Sequence, residues 1–367
     1  MTKLDQLINE LCPDGVEYQP LGKVLKNNNA SDSVSKRNYR EAGRIPIIDQ
    51  SQAYIAAYTD NESAVPPVLP CIIFGDHTRV VKYVDQKFAQ GDSGTKVLVP
   101  VSENYNTKYV FYAFCNLSIP SRGYNRHWSI VKDIRIPLPP LPVQREIVRI
   151  LDNFTELTKE LTKELKERKE QYKYYRNHLL TFEDDVPMGT LATIATNLDS
   201  KRKPVAKGNR KAGEFPYYGA SGIVDYVSDY IFDGDFLLVS EDGANLVARV
   251  TPIAFTASGK IWVNNHAHVL QFKTYVERRF VEYYLNMINL SSFIFTAAQP
   301  KLTQDNLNKI PVPIPSFEDQ ERIVVILDRF DTLCNDLTSG LPAEIEARRK
   351  QYEYYRDKLL TFKEASA

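Results

Sequence analysis

The chain has 367 residues, of which 43% are hydrophobic, 25% are charged and 11% are aromatic, and its formal net charge is zero. This length allows two or three domains with cores of their own, while the balanced charge excludes a uniformly basic protein, although not local basic surfaces. No apolar run approaches the roughly 20 residues of a membrane span, and the charged N-terminal residues are unlike a signal peptide, so we expect a cytoplasmic protein with no membrane partner.

Residues 1–143 carry the patterns of a mixed α/β block with many short strands. Strand patterns occur at "RIPIID", "PCIIFG", "RVVKYV" and "KVLVPV", and a helix pattern occurs at "NTKYVFYAFCNL". Basic side chains neutralise phosphates, while Arg, Asn, Gln and Ser can bond to base edges. We therefore predict DNA contacts from loop residues of this block: Lys36, Arg37, Arg40, Arg44, Gln50, Ser51, Arg122, Tyr124, Asn125 and Arg126.

Residues 144–183 follow a Pro-rich connector and predict one long helix. Apolar residues recur at alternating steps of four and three, and Lys, Glu and Arg fill the positions between them. This is the pattern of a coiled coil. A helix from Arg145 to Leu180 would be roughly 54 Å long at 1.5 Å per residue. The residues predicted to pack against another helix are Ile147, Leu151, Phe154, Leu161, Leu165, Tyr172, Tyr175 and Leu179.

Residues 184–315 form a second block of the same kind. Strand patterns occur at "FLLVSE", "LVARVT" and "KIWVNN", and a helix pattern occurs at "VERRFVEYYLNMI". The loop that precedes them, "SKRKPVAKGNRKAGEFPYYGASG", holds six basic residues before its first acid. By the same reasoning as for the first block, we predict DNA contacts from Lys201, Arg202, Lys203, Lys207, Arg210, Lys211, Tyr217, Tyr218, Ser221, Gln299, Lys301 and Thr303.

Residues 316–367 predict a second helix that matches the first. It carries four extra residues around "SGLPAE", an insertion that keeps the packing stripe while changing the local winding. Gly340 and Pro342 favour a kink or break at this point. The residues predicted to pack are Ile323, Leu327, Phe330, Leu337, Tyr352, Tyr355 and Leu359.

The two halves of the chain repeat one another. "QYKYYRNHLLTF" at 171–182 and "QYEYYRDKLLTF" at 351–362 agree at nine of twelve positions, and "IPLPPLPVQREIVRILDNF" parallels "IPVPIPSFEDQERIVVILDRF". Because matched stripes can bury one another, we expect the two helices to pack antiparallel with pseudo-twofold symmetry. The predicted fold class is α+β, with two α/β domains separated by a pair of long antiparallel coiled-coil helices. An old duplication kept only for stability is the alternative interpretation.

Motifs for catalysis and for metal binding are missing. The sequence has no G-x-x-x-x-G-K-[ST] phosphate loop, no Gly-rich motif typical of S-adenosylmethionine sites, and no Asn/Asp-Pro-Pro-aromatic motif. The four cysteines form no C-x-x-C pair. His266 and His268 alternate on a strand pattern, which is more typical of hydrogen-bonded side chains than of a metal pair, so we predict no metal. The acids of Asp76–His77 and Glu241–Asp242 fit turn capping or base contact better than acid–base catalysis.

Two variable blocks, each joined by a Pro-rich connector to a helix ending in "YYRNHLLTF" or "YYRDKLLTF", resemble the specificity (S) subunit of type I restriction-modification enzymes over nearly the whole chain. "PYYGASGIVDYVSD" and "GDFLLVSEDGANL" also resemble stretches of the target-recognition domains of that family. The resemblance implies two such domains, within 1–143 and at 184–315, that each read one half of a split sequence in double-stranded DNA. It also implies that the helices at 144–183 and 316–367 are spacers.

The same resemblance implies which partners the chain has. Two methyltransferase (M) subunits would dock on the spacer helices, and restriction (R) subunits could join them. S-adenosylmethionine and ATP with magnesium would be bound by these partners, and this chain would hold no cofactor and catalyse nothing.

Two other functions stay open on the residues alone. The chain could be a non-enzymatic coiled-coil adaptor, or a DNA-binding regulator that works without a methyltransferase. It could also be a methyltransferase with a divergent site, which measurable binding of S-adenosylmethionine by the isolated chain would support.

Overall fold

Residues 2–296 and 299–365 are described by a computed structural model of the chain. The chain divides into two units: unit 1 comprises Met1–Leu161 with Ile345–Ala367, and unit 2 comprises Thr162–Glu344. Each unit combines β-sheet, short helices and part of the long helical segments. Across the described residues, no helix is both long and apolar enough to cross a bilayer.

Unit 1 begins with a helix whose first turn is capped by its own side chains: the Thr2 hydroxyl accepts from the Asp5 N–H, and the Asp5 carboxylate accepts from the Thr2 N–H. The elements before the long helix are α1 (Lys3–Leu11), β1 (Glu17–Pro20), α2 (Leu21–Val24), β2 (Leu25–Asn27), β3 (Ile45–Ile48), β4 (Ala57–Thr59), β5 (Cys71–Gly75), β6 (Val81–Val84), β7 (Ala89–Gln90), β8 (Thr95–Pro100), α3 (Thr107–Cys115), α4 (Trp128–Val131) and β9 (Arg135–Leu138). One sheet has the order β2-β8-β5-β6 and another β4-β3-β7, while β1 pairs with β9.

The core of unit 1 lies between the four-stranded sheet and the helices that cover it. Phe74 on β5 is fully buried, and its ring lies 5.2 Å from that of Phe114 and 5.9 Å from that of Trp128. The sequence of β5 is a continuous apolar run because both faces of this strand are covered.

The C-terminal segment of the chain completes unit 1. Val16 pairs with Glu364, and the Tyr18 hydroxyl donates to the Phe362 carbonyl at 2.9 Å. Gly15 makes this close approach possible, because its φ is +114° and a Cβ there would overlap the backbone of residue 363.

Unit 2 repeats this topology with longer strands. Its elements are β10 (Met188–Thr190), α6 (Leu191–Ile194), β11 (Thr196–Asn197), β12 (Ala212–Gly219), β13 (Gly222–Val227), β14 (Phe232–Ser240), α7 (Asn245–Ala248), β15 (Ala254–Val263), β16 (Ala267–Gln271), α8 (Tyr275–Met287), α9 (Gln304–Asn308) and β17 (Pro311–Pro313). The sheet order is β11-β16-β14-β15-β12-β13, and β10 pairs with β17. The long β15 pairs antiparallel with β14 and parallel with β12, and so combines the pairings that β6 and β7 make separately in unit 1.

Three helices carry the repeated segments: α5 (Leu141–Leu179), α10 (Phe317–Asn335) and α11 (Leu341–Leu359). In unit 1 the ring of Phe154 on α5 stacks on Tyr355 of α11 at 5.4 Å. In unit 2 the rings of Tyr172 and Tyr175 on α5 contact Phe330 of α10 at 6.2 and 5.5 Å. Other stripe residues are buried (Ile147, Leu151, Ile323, Leu327) or half-buried (Leu161, Leu165, Leu179, Tyr352, Leu359).

The prediction that Leu337 packs between helices is wrong. Residues 336–340 form a turn between α10 and α11, as Gly340 and Pro342 predicted, and Leu337 lies in this turn with 79% of its surface exposed. Asp336 closes the turn by accepting hydrogen bonds from Ser339 and Thr338, and these bonds lower its pKa to about 2.

A repeated aspartate joins each α/β block to its helix. Asp152 on α5 accepts from the Tyr112 hydroxyl at 2.6 Å and from Lys108 at 2.8 Å. Asp328 on α10 accepts from the Tyr275 and Tyr283 hydroxyls, each at 2.6 Å, and from Arg279. The aspartate of each Leu-Asp-x-Phe motif therefore fixes a helix of the adjacent block.

Replacing Asp328 by Ala should destabilise unit 2 by about 2–4 kcal/mol, because Arg279 and two tyrosine hydroxyls lose a common acceptor. Asp152→Ala is the matched variant in unit 1 and should cost less, since Asp152 has two partners and is more exposed than Asp328. Urea unfolding of both variants measures the difference. Equal stability of Asp328→Ala and the unaltered chain would contradict this role.

Candidate nucleic-acid interface

An inner strand of each block ends at a buried acid. Asp76 follows β5 in unit 1, and Glu241 follows β14 in unit 2. The Asp76 N–H donates to the carbonyl of Gly94 at 2.8 Å, and the Glu241 N–H donates to the carbonyl of His266 at 2.9 Å. Gly94 and His266 each lie in the turn before the next strand of the sheet, so the two acids, which we call the hub acids, occupy matching positions.

Each hub acid also holds the backbone of a distant loop. The Asp76 carbonyl accepts from the His127 N–H at 2.8 Å, and the Glu241 carbonyl accepts from the Leu302 N–H at 2.7 Å. The residues just before these donors are the loop segments at 122–126 and 299–301. Matching backbone bonds thus place the polar loops of both blocks beside the same strand end.

The hub acid of unit 1 fixes its loop through His127. This buried imidazole donates from Nδ1 to the Asp76 carbonyl at 2.9 Å and accepts at Nε2 from the Arg122 N–H at 3.1 Å, so it is neutral and held in one tautomer. The Trp128 N–H donates to the Asp76 carboxylate at 2.7 Å. The loop at 122–126 is therefore anchored at both ends, while its side chains are exposed.

One side chain of this loop contacts the residue that follows the hub acid. The ring of Tyr124 stacks on the imidazole of His77 with centroids 4.5 Å apart and an interplanar angle of 8°. Tyr124 is nevertheless 83% exposed. The stack fixes the orientation of an aromatic ring whose remaining surface faces solvent.

The hub acid of unit 2 lies in a network of charges, of which Lys301 is the exposed member. The Glu241 carboxylate contacts Arg202 at 2.6 Å and Lys301 at 3.1 Å, and Arg202 also contacts Asp199 at 3.3 Å. Burial works to raise the pKa of both acids, but hydrogen bonds and the nearby cations outweigh it, so the pKa of each is lowered. Both acids are therefore ionised at neutral pH.

His268 is a further member of this network. Its Nδ1 lies 2.6 Å from the Asp199 carboxylate, and its Nε2 lies 2.8 Å from the Leu302 carbonyl. The buried ring is therefore held between the side chain of Asp199 and the backbone of the segment that follows Lys301. The network thus links β14, β16 and the loop that contains Lys301.

The acids of this network do not need a metal ion to balance their charge. In the part of the chain that the structure describes, Asp199, Glu241 and His268 bring possible ligand atoms within 4.8 Å of one another. Arg202 and Lys301 already supply positive charge to those carboxylates. The arrangement is that of an ion-pair network that stiffens a loop.

A second ion pair lies next to the hub acid of unit 2. The carboxylate of Asp242, which corresponds in position to His77, lies 2.7 Å from Nδ1 of His266. His266 is exposed and its Asp242 partner is largely buried. Asp199, Asp242, His266 and His268 were not in the predicted set of DNA contacts. The "HAH" pattern marked His266 and His268, and Asp242 was noted with Glu241 as a residue for turn capping or base contact.

The predicted contact residues of unit 1 divide into three groups. Lys36 and Arg37 lie in an exposed turn, and Arg40 and Arg44 are exposed but both bind Asp60. The exposed group at the hub acid comprises Arg122, Tyr124, Asn125 and Arg126. Ser51 is half-buried and its N–H donates to the side chain of Asp49.

Gln50 is a correction in unit 1, because the structure buries its side chain. Its amide contacts the His77 N–H at 3.3 Å and Asp92 at 3.5 Å, and a Cβ on Gly94 would overlap it. Gln50 therefore orders the turn at His77, next to the hub acid, and its amide is not available to DNA.

The predicted contact residues of unit 2 also separate. Exposed members are Lys201, Lys203, Lys207, Lys211, Ser221, Gln299 and Lys301. Arg202 belongs to the buried network, and Arg210 binds Asp225 at 3.0 Å. Thr303 caps α9, and Tyr218 is half-buried.

Tyr217 is a correction in unit 2, because only 1% of its surface is exposed. It points into the unit, where its hydroxyl oxygen accepts from the Val205 N–H at 2.9 Å and its ring lies under Arg210. The side chain therefore orders the basic loop and is not available to DNA.

Comparison with known proteins gives consistent results across the chain. A family model described as the type I restriction modification DNA specificity domain matches residues 13–171 and again residues 184–347. The chain is 34% identical over 405 aligned positions to the type I restriction enzyme EcoR124I/EcoR124II specificity subunit of Escherichia coli, which covers 99% of this chain and 97% of that protein. It is also 34% identical over 388 positions to the EcoprrI specificity subunit of E. coli, covering 92% and 93%.

A solved structure shares the fold. The type I restriction-modification system S subunit from M. genitalium superposes with a TM-score of 0.63 at 16% sequence identity, covering 94% of this chain and 96% of that one. The likeness in structure and the double match of the family model confirm the predicted α+β class with an internal repeat.

Two units with one topology, each presenting polar loops at the same strand end, define a duplicated recognition protein. The chain belongs to the family of type I restriction-modification DNA specificity subunits, as the sequence resemblance predicted. Its function is DNA recognition in such a system, and it is a non-catalytic subunit. These relatives favour this function over the adaptor and regulator alternatives.

Proposed function

We propose that unit 1 and unit 2 each read one half of a split duplex sequence through the loops at their hub acids. The observation that carries this proposal is the matching backbone geometry at Asp76 and Glu241, which presents unlike side chains at 122–126 and 299–301. A duplicated scaffold with different reading residues suits two different half-sites better than a palindrome. The two halves of the site should therefore be unrelated in sequence.

The repeated helices would serve as spacers and as docking surfaces. On this proposal α5, α10 and α11 set the gap between the half-sites, and two methyltransferase subunits bind to them, because near-identical exposed segments suit identical partners. Tyr174 and Tyr354, which are exposed at matching places in the repeat, belong to this surface. We assign to partner subunits the S-adenosylmethionine used in methylation and, where restriction subunits join, the ATP and magnesium.

Two basic loop residues provide the sharpest test of separate readers. Arg126 is exposed beside the hub acid of unit 1, and Lys301 is exposed beside that of unit 2. Arg126→Ala should weaken binding to one half-site by about 1–3 kcal/mol, and Lys301→Ala should weaken binding to the other by a similar amount. Footprinting of the complete complex on a duplex with both half-sites measures each half separately.

Lys132→Ala is the control for this experiment, since it removes an exposed cation that lies outside the loop at 122–126 and whose backbone carbonyl accepts from the Gly22 N–H on α2. It should leave both footprints unchanged at matched salt concentration. Loss of protection over both halves from either Arg126→Ala or Lys301→Ala would contradict the assignment of one reader to each unit.

A further inference from the structure

We propose that the residue following each hub acid, together with the side chain it contacts, sets base preference in its half-site. The pairs are His77 with Tyr124 in unit 1 and Asp242 with His266 in unit 2. This inference rests on the proposed function, because it assigns specificity to particular residues of those readers.

The two pairs start from the same backbone frame. His77 and Asp242 each come directly after a hub acid whose N–H and carbonyl are both bonded to neighbouring loops. This frame fixes where the next Cα lies, so a change of side chain at 77 or 242 alters chemistry with little change in position. A residue that determines specificity needs a fixed backbone position at which different side chains can be placed.

The pair in unit 1 presents an oriented ring. Tyr124 gains little burial from its stack on His77, since 83% of its surface is exposed, so the contact orients the ring more than it stabilises the fold. His77 is anchored by its own N–H, which donates to Gln50, and its Nδ1 has no hydrogen-bond partner within the described residues. A ring held in one orientation loses less entropy when it contacts a base edge or a thymine methyl group.

The pair in unit 2 presents hydrogen-bond acceptors. Asp242 lies 2.7 Å from Nδ1 of His266 and accepts the hydrogen of that nitrogen. The carboxylate of Asp242 offers acceptor oxygens beside the exposed side chain of His266. In the major groove the matching donors are the amino groups of cytosine and adenine, so we assign to this pair a base that carries an exocyclic amino group.

The test uses the full chain assembled with methyltransferase subunits and a duplex library randomised across the recognised sequence. The unaltered complex should select two half-sites. Tyr124→Leu and His77→Ala should each reduce preference at one or more positions of one half-site by about tenfold, and Asp242→Asn and His266→Ala should do so in the other half-site. Tyr124→Phe keeps the stack and isolates the hydroxyl.

Folding does not obscure the outcome, because Tyr124 and His266 are exposed and their variants should keep the melting temperature of the unaltered complex. Complete loss of selection in one half, with the other unchanged, also supports the inference. Unchanged preferences in all four variants, or equal loss in both halves, would overturn it. If the unaltered complex selects no split site, the proposed function itself fails, and that result is visible before any variant is measured.

Discussion

Deletion of Thr162–Leu165 from α5 should shorten the gap between the two half-sites while leaving both half-site sequences unchanged. The sequence at 158–165 is "TKELTKEL", so the deletion rejoins the helix with its local sequence preserved. Four residues of helix are roughly 6 Å long, close to two base-pair steps of about 3.4 Å. Because the loops at 122–126 and 299–301 lie outside the deleted segment, each unit should still recognise the same bases.

The control for this deletion keeps the length of the helix. A Lys163→Ala/Glu164→Ala double variant alters the same segment without removing residues, and the gap should stay as it is. Selection from duplexes with variable gaps measures both variants. A deletion variant that still requires the original gap would show that α5 does not set the spacing.

Replacing Glu241 by Ala should destabilise unit 2 by about 3–5 kcal/mol and abolish recognition of one half-site. The change leaves the largely buried Arg202 guanidinium with one acid fewer and removes the acid that pairs with Lys301, which is the costly way to break an ion pair. It also removes the side-chain contact between Lys301 and the strand end, while the backbone bond from Leu302 to residue 241 remains. Urea unfolding and footprinting of the complete complex measure the two effects.

Two further variants separate charge from shape. Glu241→Gln keeps the size and part of the hydrogen bonding, so it should fall between the unaltered chain and Glu241→Ala in stability. Asp76→Ala is the matched change in unit 1 and should affect only the other half-site. Unaltered stability and an intact second footprint in Glu241→Ala would contradict the role of the network.

The effect of Glu241→Gln on stability should depend on pH. Because the folded-state pKa of Glu241 is lowered below its ordinary value of 4.5, its stabilising contribution is fully present above that value and is lost as the pH falls through the folded pKa. The difference in unfolding free energy between the unaltered chain and Glu241→Gln should be constant near neutral pH. It should shrink below about pH 4.

The sequence predicted the helices and the repeat well, because both are local signals. Steps of four and three marked the packing stripe of α5 from Ile147 to Leu179, and the burial of Ile147 and Leu151 agrees with it. The prediction that Leu337 packs was wrong because an insertion of four residues is compatible both with a continuous helical stripe and with a turn. The chain forms a turn there, next to Gly340 and Pro342. Which residues of the loops touch DNA is still a prediction.

The sequence marked Asp76 and Glu241 as acids that follow apolar strands, but not their role in ordering loops, because their partners are distant. Glu241 is 39 residues from Arg202, and Asp76 is 51 residues from His127, so the strand pairing must be known before these contacts can be foreseen. Gln50 and Tyr217 were predicted to contact DNA because polar and aromatic side chains near basic loop residues often do so. Only the register of the strands shows that both side chains point inward.

The most direct test of the proposed function is sequencing of methylated bases in DNA from cells that express this chain with its methyltransferase partner. We predict one methylated motif made of two unrelated half-sites separated by a gap of fixed length, and its loss when this chain alone is absent. A single continuous motif, or a motif that persists without the chain, would contradict the assignment of sequence recognition to these two units.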